Sequence, residues 1–149
     1  FVKILGEKIC LKYSQSNHFD LIVLRPFTIY GKNQKSRLIY NLITNIKNGN
    51  KIFIDGKQGI KLSCIFVNDI SKIIKYLIND YKSDYSVFNL SSPFSYSIKK
   101  FCEIIAKKLN KNVRIVSNNK TIKNYMSNNN NLTKKFKFIK FENYIKDHL

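Results

Sequence analysis

Tryptophan, methionine, proline and glycine are rare in this sequence. It contains no tryptophan, one methionine, two prolines and five glycines among its 149 residues. No apolar run approaches the ~18 residues that a transmembrane helix needs, and the first residues do not form a signal-peptide pattern. We therefore predict a cytoplasmic protein without membrane partners.

Cysteine is also scarce. Cys10, Cys64 and Cys102 lie within apolar segments and do not have the paired spacing of a metal site. No motif supports a disulfide or a reactive thiolate at any of them. We predict that each is a reduced residue in the core and that the protein binds no metal.

Acidic residues are few. Nine Asp and Glu stand against 27 Lys and Arg, which gives a formal net charge of +18. Arginine occurs only at Arg25, Arg37 and Arg114, and the lysines are scattered rather than gathered in one stripe. We interpret the charge as a solvated, compositional surface with no nucleic-acid partner. The alternative is a basic nucleic-acid-binding domain, whose affinity would fall steeply with salt.

The stretch Leu21 to Gly31, LIVLRPFTIYG, organises the rest of the chain. Four consecutive apolar residues with β-branched members are typical of a strand buried on both faces of a parallel sheet. Pro26 cannot donate a ladder hydrogen bond, so we expect the strand to end there. In open α/β sheets, ligands bind at the carboxyl ends of such strands.

Apolar spacing predicts alternating helices and strands around this stretch, which is typical of an α/β fold. Helical spacing covers residues 2–13, 38–46, 70–78 and 98–109, and short apolar runs predict strands at 51–55, 65–67, 87–90 and 113–116. The polar segment 117–131 ends in four asparagines and is predicted to be a loop or disordered. A last helix is predicted through Tyr144 and Ile145.

Local signals predict how several helices begin and end. Ser97 and Asp69 are expected to be N-caps, and Gly49 is expected to stop the second helix. Gly6 lies inside the first helix, where glycine is unfavourable, so we expect it to pack closely against a neighbour.

The segment LRPFTIYG resembles LRPFNVYG of the NAD(P)-dependent sugar-nucleotide epimerase/dehydratase family, the extended short-chain dehydrogenases. Its flanks resemble the same family in the same order. VKILGEKIC is similar to SKxxGExxC, KLSCIFVNDI to xRDFIYVDDV, and VFNL to vyNlg. The resemblance implies the C-terminal part of a Rossmann-like, doubly wound parallel sheet together with the small α/β substrate-binding region.

The resemblance also implies how the chain is organised. Residues 1–31 would be the last helix and strand of an incomplete dinucleotide-binding domain. Residues 32–116 would form a mixed substrate-binding region with returning Rossmann elements. Residues 117–149 would be a polar C-terminal segment with a terminal helix. The glycine-rich loop G-x-x-G-x-x-G is not in these residues, so we expect a fragment that is inactive alone.

Within the resemblance, Lys3 is the lysine of the family's Tyr-x-x-x-Lys motif, and the tyrosine would lie two residues upstream of Phe1. This implies that Lys3 is catalytic and also binds the nicotinamide ribose. Pro26 and Phe27 match residues that line the nicotinamide pocket. The alternative is that Lys3 is an exposed lysine of a first helical turn, while Pro26 and Phe27 end a strand and fill core.

The resemblance assigns substrate contacts to Thr28, Tyr30, Arg37, Ile54, Lys61 and Leu62. Two of these positions depart from the family pattern. Thr28 stands where asparagine is usual, and Leu62 stands where the family has the arginine that binds the diphosphate. Leucine cannot make that bidentate contact, so Lys61 and Arg37 become the candidate cations.

The implied function is hydride transfer at a sugar carbon by an NAD(P)-dependent sugar-nucleotide epimerase, dehydratase or reductase, with NAD or NADP as cofactor. Its partner would be a nucleotide-diphosphate sugar, and the full-length protein is expected to be a homodimer. A non-catalytic, truncated or degenerate family member that binds a sugar nucleotide or a partner is the alternative.

Overall fold

A computed structural model describes residues 1–126 and 135–148 of the chain. These residues form five helices: α1 Val2–Asn17, α2 Leu38–Lys47, α3 Val67–Asn79, α4 Ile98–Leu109 and α5 Phe141–His148. They also form eight strands: β1 Leu21–Pro26, β2 Ile29–Tyr30, β3 Lys51–Ile54, β4 Lys61–Leu62, β5 Ile65–Phe66, β6 Tyr85–Leu90, β7 Tyr96–Ser97 and β8 Arg114–Ser117. None of the helices in this part of the chain is both long and apolar enough to cross a membrane.

Parallel pairing dominates the strands. β1 pairs with β6 over six residues, from Leu21 opposite Tyr85 to Pro26 opposite Leu90. β2 pairs in parallel with β5, and β3 in parallel with β8, while β4 and β7 are antiparallel. Helices connect the parallel partners along the chain, because parallel strands need a crossover. The predicted α/β class is confirmed.

Several helix ends follow the predicted local chemistry. The Ser97 hydroxyl accepts a hydrogen bond from the Lys100 backbone N–H at 3.1 Å, so the predicted N-cap is confirmed. α2 ends at Lys47, and Gly49 follows with φ of 69°, as expected for a glycine that stops a helix.

Apolar residues collect in two clusters. The larger lies between α2, α4, α5 and β3, and the smaller lies between α3, the β1–β6 pair and the segment that precedes α5. Aromatic rings join α5 to the larger cluster: the Phe101 and Phe141 centroids are 4.7 Å apart, and those of Tyr30 and Tyr144 are 4.9 Å apart. The terminal helix is therefore part of the core.

Asp69 has a different role from the predicted one. The N-cap of α3 is Phe66, because the helix begins at Val67 where a strand residue was predicted. Asp69 lies in the first turn, almost fully buried, and its Oδ2 accepts a hydrogen bond from the Ile139 backbone N–H at 3.0 Å. The carboxylate thus fixes the chain before α5 rather than the start of its own helix.

Two further predictions are wrong. Gly6 has no heavy atom within 4 Å of the place where a Cβ would stand, so close packing does not explain it. Cys10 is exposed, whereas Cys64 and Cys102 are buried as predicted. The helix predicted from the apolar spacing of residues 2–13 is present as α1, and its apolar residues Val2 and Leu5 are exposed in the described chain.

The predicted loop at 117–131 is partly described. Ser117 closes β8, Asn118 lies beside the end of β3, and Tyr125 forms a bridge with Leu62 of β4. The Tyr125 backbone N–H donates to the Lys61 carbonyl at 2.9 Å. The remainder of the predicted loop lies outside the described residues.

Alanine at Gly6 and at Gly31 should shift stability in opposite directions. Gly31→Ala would place its Cβ 2.6 Å from Val67 Cγ1, and we expect a loss of about 1–3 kcal/mol through overpacking. Gly6→Ala meets open space and should stabilise the helix by about 0.5–1 kcal/mol. Urea unfolding measures the stability of both variants. Adding Val67→Ala to Gly31→Ala should recover the lost stability, because it removes the side chain that the new Cβ would meet. Equal effects at the two glycines would contradict this packing.

Candidate functional site

The loop at the carboxyl end of β1, residues 27–28, is called the β1 loop and is fixed by backbone hydrogen bonds on both sides. The Phe27 N–H donates to the Leu90 carbonyl at 2.8 Å, and the Ile65 N–H donates to the Thr28 carbonyl at 2.9 Å. Pro26 is exposed, while Phe27 and Thr28 are half-buried. This loop therefore joins the end of β6 to the start of β5, with side chains still accessible.

Helix α1 is joined to the same end of β1 by a bidentate ion pair. Arg25 Nε donates to Glu7 Oε1 at 2.8 Å, and Arg25 Nη2 donates to Glu7 Oε2 at 2.5 Å. The guanidinium lowers the pKa of Glu7, chiefly through these hydrogen bonds, and the carboxylate raises the pKa of Arg25. Both side chains are ionised at neutral pH.

Lys3 is exposed in the first turn of α1, one helical turn before Glu7. Residues at i and i+4 share a helix face, so Lys3 and Glu7 lie on the face that meets β1. Pro26, Phe27 and Thr28 follow one another at the end of β1, and the placement of Lys3 beside them stays a prediction.

Tyr30 is only 2% exposed, and its ring lies among the aromatic rings of Phe66, Phe141 and Tyr144. Burial raises the pKa of Tyr30 well above its ordinary value of 10.0, so the hydroxyl stays protonated at neutral pH. The ring belongs to the core and is no acid/base catalyst. Its predicted contact with substrate stays a prediction.

Cys64 is buried beside this aromatic cluster. Burial raises the pKa of the Cys64 thiol to about 12. A thiol with such a pKa is not a nucleophile at neutral pH. The residue serves packing, as the sequence predicts.

The remaining predicted substrate residues lie on β3, β4 and the start of α2. Ile54, the last residue of β3, is buried, and Leu62 is half-buried against the larger apolar cluster. Lys61 and Arg37 are exposed. Leu62 is three residues from Ile65, whose N–H bonds to Thr28, so the chain links this group to the β1 loop.

The loop between β2 and α2 forms two open clefts beside the β1 loop. One has a volume of about 280 Å³ and the other about 230 Å³, and both are lined by Gly31, Lys32, Asn33 and Gln34. The larger also reaches Ile29, Tyr30 and Val67, and the smaller adds lysines at positions 35 and 47. The clefts offer space and positive charge next to the predicted site.

A polar network follows the ends of β3 and β8. Asn118 Nδ2 donates to Asp55 Oδ1 at 2.5 Å, and the Gly56 N–H donates to Asn118 Oδ1 at 3.0 Å. Lys120 Nζ lies 3.6 Å from the same Asp55 oxygen. The network borders a cleft of about 190 Å³ that is also lined by Phe53, whose ring is 76% exposed.

Sequence reasoning did not predict the Glu7–Arg25 pair or the Asp55–Asn118 network. Glu7 and Arg25 are 18 residues apart on different elements, so no local spacing predicts the first. Asn118 lies 63 residues from Asp55, and no local pattern joins them. Among the described residues, no group of three or more His, Cys, Asp or Glu side chains is placed to hold a metal ion.

Residues 1–91 match the sequence model of the NAD dependent epimerase/dehydratase family. The chain belongs to this family. The match covers α1, the β1 loop and every strand through β6. No curated protein sequence matches the chain significantly.

Solved structures share the fold of this family member. UDP-N-acetylglucosamine 4-epimerase from Methanobrevibacter ruminantium M1, in complex with UDP-N-acetylmuramic acid, has 26% identity and a TM-score of 0.76, covering 97% of this chain and 50% of that one. UDP-glucuronic acid 4-epimerase from Bacillus cereus, in complex with UDP-glucuronic acid and NAD, has 16% identity and a TM-score of 0.80, covering 97% and 48%.

A third structure, dTDP-glucose 4,6-dehydratase from Bacillus anthracis str. Ames in complex with NAD, has 20% identity and a TM-score of 0.76. It covers 95% of this chain and 47% of that one. The chain therefore spans about half the length of the solved structures that it resembles.

The pairing of α1 with β1 should weaken in acid. A carboxylate whose pKa is lowered on folding contributes stability above its unfolded value, here 4.5, and loses it as the pH falls through the lowered value. We expect amide exchange near Glu7, corrected for intrinsic rates, to accelerate below pH 4.5. Glu7→Gln should abolish this acid step, and α4 serves as the internal reference. If amide exchange still accelerates in acid in Glu7→Gln, the loss of pairing is not caused by protonation of Glu7.

Proposed function

We propose that this chain is the C-terminal half of an NAD(P)-dependent sugar-nucleotide epimerase, dehydratase or reductase. The observation that supports this most is that the Glu7–Arg25 pair joins the helix bearing Lys3 to the carboxyl end of β1, directly before Pro26, Phe27 and Thr28. Such an edge is where open α/β sheets bind ligands. We place the protein in the cytoplasm and expect the full-length enzyme to be a homodimer.

The residues present fit one end of the dinucleotide. The exposed Lys3 ammonium and the accessible loop after Pro26 suit the nicotinamide ribose and ring. The chain offers no matching loop for the pyrophosphate, because no G-x-x-G-x-x-G is formed by its glycines, Gly6, Gly31, Gly49, Gly56 and Gly59. We therefore assign the pyrophosphate site to a preceding half of the protein.

Lys3 would act on protons and hydroxyls rather than on the sugar carbon. Its ammonium would hydrogen-bond the ribose hydroxyls and, beside the family tyrosine, would favour the phenolate by placing a positive charge nearby. When bound, the nicotinamide supplies hydride acceptance and return. The half-buried Phe27 would help to exclude water from the reacting face.

The proposed substrate is a nucleotide-diphosphate sugar. Since Leu62 packs against the core, the diphosphate would be met by the exposed cations Lys61 and Arg37. Thr28 would offer one hydroxyl to the sugar, where an amide would offer more donors. Lys61 would act as a point charge and would select the geometry of the diphosphate less strongly than a bidentate guanidinium, which Arg37 could supply.

Leu62 also favours a second candidate function. A family member that has lost the diphosphate-binding arginine to a core-packing leucine could bind a sugar nucleotide or a partner without catalysis. Tight binding of a sugar nucleotide without turnover would support this alternative, and hydride transfer would exclude it.

Sequencing the coding region upstream of Phe1 tests the proposal that the chain is part of an active enzyme. We expect it to encode a tyrosine two residues before Phe1 and, farther upstream, a strand followed by a glycine-rich loop. A stop codon or unrelated sequence at these places would contradict the proposal, and the non-catalytic alternative would then be the better account.

In the longer protein, Lys3→Met should lower kcat by about 10²–10³-fold, since it removes the charge that supports proton transfer. Lys8→Met, an exposed lysine of the same helix, is the matched control and should change kcat less than about twofold. The readout is NAD(P)H absorbance during single turnover. Equal losses in both variants would refute a specific role for Lys3.

Binding of UDP to the chain tests the diphosphate assignment. Lys61→Ala should weaken binding by ~1 kcal/mol, about fivefold, and the deficit should shrink as salt is added. Lys57→Ala removes a nearby exposed lysine and should leave the affinity unchanged. Calorimetry at two salt concentrations measures both, and a larger loss from Lys57→Ala would place the diphosphate elsewhere.

A further inference from the structure

The Glu7–Arg25 ion pair lies between the helix that bears Lys3 and the strand that leads into the β1 loop. We propose that it is a positioning pair, which fixes α1 so that the Lys3 ammonium stands beside Phe27 and Thr28. The inference rests on the proposed function, because it concerns the same site, but it assigns a role to two residues that the family resemblance matched without giving them one.

The direction of α1 places Lys3 beyond the ion pair, toward the loop. The C-terminal end of α1 lies beside the start of the sheet, where Ser14 and His18 share a cleft with Asp84 and Tyr85. The N-terminal end therefore points toward the carboxyl end of β1. Glu7 meets Arg25, the fifth residue of β1, and Lys3 lies one turn, about 5–6 Å, farther along the same face.

Within the described chain, apolar packing does little to fix the N-terminal half of α1. Its large apolar residues Val2, Ile4, Leu5 and Ile9 are exposed, and the buried residue of this helix is Ser14, near its other end. Near the site, the described contact that defines rotation of the helix is therefore the ion pair. Without it, the helix would keep its anchor at Ser14 and gain freedom at Lys3.

A guanidinium suits this task better than an ammonium. Its two parallel N–H donors engage both Glu7 oxygens and so fix orientation as well as distance. Arg25 is followed directly by Pro26, whose ring restricts the backbone. The bidentate guanidinium thus connects α1 to a restricted part of the backbone, directly before the β1 loop. A displacement of 1 Å at a reacting group can cost about 10²-fold in rate.

Paramagnetic broadening in the chain measures the position of residue 3 directly. A nitroxide is attached to Lys3→Cys in a Cys10→Ser background, since Cys64 and Cys102 are buried. We expect strong broadening of the Phe27 and Thr28 amides. Glu7→Gln should reduce that broadening severalfold, and Arg25→Lys should give an intermediate value. The charge swap Glu7→Arg with Arg25→Glu should restore it.

The matched control is Glu103→Gln, which removes an exposed carboxylate paired with Lys100 at 3.8 Å on α4. It should leave the broadening unchanged. The proposal is overturned if Phe27 and Thr28 are not broadened in the parent, or if Glu7→Gln leaves them as broad as before. The dispersed amide of buried Ile105 shows in each sample whether the fold is kept.

Kinetics in the longer protein separate positioning from general stability. Glu7→Gln should lower kcat at least tenfold with KM for the nucleotide sugar within about twofold, and the charge swap should recover most of kcat. A loss confined to KM, or no rescue by the swap, would overturn the positioning role. The broadening experiment needs neither cofactor nor substrate. It therefore tests the positioning of residue 3 even if the proposed enzyme function is wrong, and the two failures can be told apart.

Discussion

The parallel pairing of β1 with β6 determines where a site can form in this chain. Pro26 lies opposite Leu90, so both strands end at the same level. The backbone of Phe27 then bonds to Leu90, and that of Thr28 bonds to the start of β5. Strands β1, β5 and β6 thus hold the β1 loop. The register of β1 with β6 also sets where α1 and the β2–α2 loop lie relative to that loop. The accessible side chains of the region are a consequence of strand alignment.

Features with a local cause could be predicted from the sequence. The apolar run before Pro26 predicts a strand that ends there, and Ser97 predicts a cap, because backbone and side chain interact within a few residues. The role of Asp69 could not be predicted, since its partner is the backbone of Ile139, 70 residues away. The same applies to Asn118 and Asp55. Contacts of this kind depend on which elements meet, and periodicity does not contain that information.

For the candidate site, too, the sequence gives positions along the chain but not the contacts between elements. A motif places Tyr30, Ile54 and Leu62 at family positions, yet it does not say how much of each side chain is exposed. The structure buries Tyr30 and Ile54 and half-buries Leu62, so their predicted contacts with substrate stay predictions. Lys3, Pro26 and Thr28 are accessible because they lie at a helix start and after a strand end, where side chains have few neighbours.

The distance along the chain between paired strands has a consequence for how the protein forms. The partners of β1 and β3 come roughly sixty residues later in each case, so neither pair is a hairpin, and closing such long loops is slow. During synthesis, β1 leaves the ribosome before its partner β6 is made. This pairing must wait until β6 emerges, a period in which chaperone binding and mispairing compete with folding.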